Sequence, residues 1–114
     1  MVICMSSAAA VDDVFRALSD PTRRDVVARL TRRPASVSEL AEPFAMALPS
    51  FVQHLRVLES SGVVRSTKAG RVRTYHLVPK RLQLAESWLA AQREMWEHRM
   101  DRFEAYVTAM DDDR

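Results

Sequence analysis

Cysteine occurs once in the 114-residue chain, at Cys4. A single thiol excludes an internal disulfide and any site built on clustered cysteines. Cys4 has no nearby cation to activate it, so no oxidant-sensing role is expected of it. Glycine is almost as scarce, with only Gly62 and Gly70, so there is no glycine-rich loop to cradle a phosphate. No HExxH pattern is present, and His54, His76 and His98 fall in three different predicted elements. Without a legible nucleophile and base, the chain does not read as an enzyme, and no cofactor is expected. No apolar run approaches the ~20 residues of a bilayer span. Met1 to Ala10 contain no Lys or Arg, unlike the basic start of a secretory signal. The expectation is a cytoplasmic protein with no membrane partner.

What the chain does have is an ordinary 47% share of hydrophobic residues, enough for one domain with one core. Its net charge of +2 conceals a division along the chain. Residues 1–55 carry six basic and six acidic side chains. Residues 56–81 carry seven basic side chains against Glu59 alone, a net of +6, and residues 82–114 carry four against eight, a net of −4. A basic block this local suits a polyanion-binding surface, although a solvated loop would carry it equally well.

The apolar spacing predicts the elements. Val11, Val14, Phe15 and Leu18 recur at helical intervals and predict a first helix from about Ala9 to Leu18. Asp20-Pro21 is an N-cap followed by a first-turn proline, and opens a second helix to about Arg32, with Val26, Val27 and Leu30 inward. Ser36-Val37-Ser38-Glu39 is a capping-box pattern opening a third helix, which Pro43 keeps short. A tight turn at Met46-Ala47 leads to a fourth helix from Leu48-Pro49 to Ser60 or Ser61, closed by Gly62. Two period-2 runs, 63–67 and 72–77, flank Gly70 and predict a β-hairpin. The helical pattern then resumes from about Arg81 to Met110. The domain reading is a tail at 1–9, a core at 10–80, a long helix at 81–110 and an acidic tail at 111–114. The fold class is mainly α with a small hairpin: a winged helix-turn-helix of about five helices and a two-stranded wing.

At about 100° per residue, Phe51, Val52, Leu55 and Leu58 share the inner side of the fourth helix. Ser50, Gln53, His54 and Val57 lie on or near the other side, and none is acidic. A plain solvated face would carry more Glu and Lys. Compact hydrogen-bonding groups suit a helix in the DNA major groove, where Gln53 can pair with adenine and Ser50 with several base edges, while Val57 could touch a thymine methyl. Arg56 lies on a flank and suits a phosphate. In the hairpin, Lys68, Arg71 and Arg73 can reach phosphates or a minor groove. The competing class is a winged helix that docks on protein and binds no DNA.

Several segments together resemble the ArsR/SmtB family. Phe15 to Arg24 contains the opening Ala17-Leu18-Ser19-Asp20-Pro21-Thr22-Arg23-Arg24. Val37-Ser38-Glu39-Leu40-Ala41 and Gln53 to Glu59 resemble its helix-turn-helix, and Gly70 to Leu77 its wing. The resemblance spans residues 10–78 and implies a dimeric repressor of double-stranded DNA operators, autoregulatory and released by a small-molecule or protein inducer. The chain departs from the family at Val52, where a serine is common. It departs again at Ser36 and Ser38, which occupy the Cys-x-Cys positions of the metal-sensing members and are poor ligands for a soft metal. Glu94 and His98 could share a metal across one turn, but the last-helix sites of metal sensors need a second histidine there, and His98 is alone. No metal is expected.

Leu82, Leu89, Trp96, Phe103 and Met110 are spaced by seven, with Met100 and Val107 at the +4 positions. Such a seam exceeds what one small domain can cover, which predicts a homodimer. The expected interface residues are Val11, Val14, Phe15, Leu89, Trp96, Phe103 and Val107.

Overall fold

The computed structural model describes residues 7–112. Helix α1 spans Ser7–Ala17, α2 Pro21–Leu30, α3 Val37–Ala41, α4 Leu48–Ser60 and α5 Pro79–Asp112, while the strands are β1 (Ala35–Ser36), β2 (Val64–Ala69) and β3 (Val72–Leu77). Cys4 and the last two residues lie outside the described residues. Helix α1 takes in residues 7–9, which the sequence reading placed in a tail, and α5 starts two residues earlier than expected.

The starts of α2 and α3 have local causes. Asp20 caps α2 by accepting the Arg23 N–H, and Pro21 takes the first position, where no donor is needed. Ser36 and Glu39 form a reciprocal capping box at α3, each side chain accepting the other's backbone N–H. The hydrogen bond from the Ser36 N–H, with the Ser36 hydroxyl and the Arg33 and Arg29 charges, holds the Glu39 carboxyl below its ordinary value against slight desolvation. Helix α3 ends before Pro43, and the connection to α4 occupies residues 42–47.

The sheet has one strand more than the hairpin reading allowed. Its order is β1-β3-β2, all antiparallel, with Ala35 opposite Tyr75 and Ser36 opposite Thr74. In the hairpin Ala69 faces Val72, leaving Gly70-Arg71 as a two-residue loop. Gly70 has φ +62 and Arg71 does not share the positive φ, as a type II′ turn requires.

One core joins α1 to α4, the sheet and the start of α5. Val14, Val26, Leu40, Phe51, Leu55, Leu58 and Val63 are buried there with Tyr75 and Ala85. The expected inner residues of α4 are found there except Val52, which is half-buried and outside this cluster. Phe15 meets Trp88 edge-on, with ring centroids 5.6 Å apart, and this fastens α1 to α5. Beyond Ala90 every described side chain of α5 is exposed, and the helix projects far enough to make the molecule 76 Å long.

Gly62 ends α4 with φ +82, and a Cβ there would sit 2.5 Å from the Arg81 Nε of α5. Gly62→Ala therefore combines a left-handed backbone with a displaced arginine. It should lower stability by about 1–2 kcal/mol, read as an earlier urea midpoint, whereas Gly70→Ala, with open space around it, should pay only the backbone strain.

Candidate nucleic-acid interface

Helix α4 presents Ser50, Gln53 and Arg56 to solvent. Its only acid, Glu59, turns toward the wing, where Ser66 Oγ donates to Glu59 Oε2 at 2.7 Å. Arg73 Nη1 in turn donates to Ser66 Oγ at 2.9 Å. Arg73, expected as a DNA contact, is thus exposed yet engaged in a bond that ties β3 through β2 to α4. The register explains this, since Ser66 opposes Tyr75 and Lys68 opposes Arg73, so all four project from the sheet face that covers the core. Lys68 and Arg71 are exposed at the tip.

Two expected residues are placed differently. Val57 is half-buried against the core and lines a cleft with Asp13, Arg16, Ser60 and Ser61, between α1 and the end of α4. It faces α1 and is not part of the outward face. Val14 has no exposed surface at all, because it fills the protomer's own core. It can offer nothing to a second chain, so it belongs to the fold and not to an interface.

His54 is half-buried at the edge of the outward face, where α4 meets the start of α2. Its Nδ1 lies 3.1 Å from Arg23 Nη1 and 3.8 Å from Asp20 Oδ2. Arg23 also donates to the Ala17 and Arg16 carbonyls, and Arg24 to the Leu18 carbonyl, so two arginines complete the C-terminal end of α1. Desolvation raises the Asp20 carboxyl. The backbone hydrogen bond from Arg23, with His54, Thr22 and the Arg23 charge, outweighs it and holds the group below its ordinary value. The Arg23–His54 link joins residues 31 apart, and helical spacing alone gave no sign of it.

On α5, Leu89, Trp96, Phe103 and Val107 are all exposed, Trp96 at 60%. Val11 and Phe15 of α1 are half-buried, with Phe15 held by Trp88. Among the described residues no three His, Cys, Asp or Glu side chains are grouped to hold a metal ion, and no helix is long and apolar enough to cross a membrane.

Residues 18–67, from the end of α1 to the middle of β2, match a family model described as a helix-turn-helix domain. The chain is similar to the HTH-type transcriptional regulator Rv2034 of Mycobacterium tuberculosis, at 40% identity over 75 residues, covering 66% of this chain and 70% of that protein. It is similar also to the transcriptional repressor SdpR of Bacillus subtilis, at 32% identity over 79 residues, covering 69% and 88%. Among solved structures, the ArsR family transcriptional regulator RHA00566 superposes with a TM-score of 0.76 at 52% identity, covering 79% of this chain and 93% of that one. With this order of helices, turn and wing, and relatives this similar along most of their own length, the chain belongs to the ArsR family of winged helix-turn-helix transcriptional regulators, a family of DNA-binding proteins and not of enzymes.

Proposed function

We propose that the protein is a homodimeric repressor that binds operator sites in double-stranded DNA, with one α4 helix of the dimer in each of two successive major grooves. The observation that carries this reading is the outward face of α4. Ser50, Gln53 and Arg56 stand exposed there, the helix's one acid is turned away and bonded, and Lys68 and Arg71 are exposed at the tip of the wing. A protein-docking surface would not require a basic block beside a face free of carboxylates. Gln53 and Ser50 read base edges, Arg56 and the wing tip hold phosphates, and Arg73 braces the wing. The second chain covers the exposed apolar side of α5 at Leu89, Trp96, Phe103 and Val107, with Val11 and Phe15 at its margin. A C2 pair placed this way spaces two reading helices by about one helical turn, ~34 Å. The protein acts in the cytoplasm on the promoter of its own gene among others, and answers to a small molecule or protein inducer.

Salt-dependent titration of duplex DNA tests this reading. Exchanging both Lys68 and Arg71 for Ala should weaken binding to specific and random duplex alike, and lower the slope of log affinity against log salt by up to about two units for each protomer bound. A folded double variant with the wild-type slope would remove the wing from the interface. Wild-type binding that ignores salt would favour protein docking instead.

A further inference from the structure

Arg23 divides its guanidinium among three partners. Nε donates to the Ala17 carbonyl at 2.7 Å and Nη2 to the Arg16 carbonyl at 3.2 Å, which pins the group on the last turn of α1. Nη1 points at His54 Nδ1, 3.1 Å away on α4. A guanidinium has donors only, so Nδ1 is the acceptor in this pair and the proton of the neutral ring sits on Nε2. Asp20 Oδ2, at 3.8 Å, is too distant to claim Nδ1 as a donor, and it already accepts the Arg23 backbone N–H at 3.1 Å. Nε2 makes no hydrogen bond among the described residues, and no buried side-chain polar atom among them lacks a partner, so Nε2 opens to solvent. His54 stands one turn after Ser50 and next to Gln53, at the rim of the outward face of α4.

From this geometry we infer that Arg23 is a positioning residue for DNA binding. It holds His54 in the Nε2–H form, and that N–H donates to a phosphate oxygen at the rim of the groove α4 enters. Phosphate oxygens only accept, so the opposite tautomer would present a lone pair where a donor is needed. The cation on Nδ1 also polarises the ring toward donation at Nε2. The arrangement carries a register as well as a bond, because the same guanidinium grips α1. It thereby sets α4 against the helix that packs on α5. This inference rests on the DNA-binding reading.

The test has two parts. Long-range proton–nitrogen correlation spectra of the full chain without DNA, above about pH 8 where an ordinary imidazole is neutral, should show His54 protonated at Nε2 and not at Nδ1. Affinity is then measured on a random-sequence duplex of about 30 base pairs, three helical turns. His54→Gln, whose amide N–H can stand in for Nε2–H, should bind within about twofold of wild type. His54→Asn and His54→Ala should each lose about tenfold or more per protomer, the worth of a hydrogen bond to a charged acceptor. Arg23→Met should lose a similar factor in wild type but nothing further in the His54→Ala background. A His54 protonated at Nδ1, His54→Asn binding as well as His54→Gln, or additive losses for Arg23 and His54 would each overturn the inference while leaving DNA binding itself intact. Failure of the wild-type chain to bind any duplex would overturn both.

Discussion

Trp96→Ala should leave the protomer folded and abolish the dimer at low micromolar concentration. Within one chain Trp96 is 60% exposed and lies on the stretch of α5 beyond Ala90 where no described side chain is buried. Truncating it therefore costs the isolated fold little. In the proposed dimer it would sit midway along the seam from Leu89 to Phe103, where removing a packed aromatic costs about 3–5 kcal/mol at each copy. A C2 pair feels that loss twice. Once the chains separate, each reading helix must find its half-site alone, and operator affinity should fall far more than any single DNA contact could explain. Sedimentation and operator titration on the same preparation check both halves. A variant that remains dimeric and binds normally would show that α5 is not the interface.

Gln53→Ala should have the opposite signature. Gln53 is exposed in the centre of the outward face of α4 and contributes nothing to the core, so both folding and dimer should survive. Loss of a bidentate base contact should cost about 1–3 kcal/mol on the operator, twice over in the dimer, with little change on random duplex. Competition between operator and random DNA separates the two. An equal loss on both would make Gln53 a phosphate contact, and no loss on either would take it out of the interface.

Helices α2, α3 and α4 are legible in the sequence because each carries both an apolar period and a start signal, whereas α1 and α5, read from the period alone, each begin two residues earlier than it implies. Asp20-Pro21, the Ser36–Glu39 box and Leu48-Pro49 mark the starts of α2, α3 and α4. Strand β1 was not legible: two residues are too few to alternate, and Ser36 already serves as the cap of α3. Its strand character comes from pairing with Tyr75 and Thr74, far along the chain. Periodicity also could not tell an interior from an interface. Val14 and Trp96 both lie on apolar stripes, yet one is sealed in the protomer and the other is exposed. Val57 falls near the border between core and groove on the wheel, and packing against α1 decides its side. The roles of Arg23 and Arg73 depend on partners brought close by the fold, His54 for one and Ser66 for the other. Residue type announced charge at those positions but not its destination.

In the proposed dimer two α4 helices, spaced by α5, read DNA sequence together. Selection of bound duplexes from a random pool by the 114-residue chain tests this. The expected result is enrichment of an inverted repeat whose half-sites are centred about one helical turn, or a whole multiple of it, apart. The repeat should carry adenine at a fixed half-site position that relaxes in Gln53→Ala. A pool that emerges unenriched, or an enriched site with no two-fold symmetry, would contradict it.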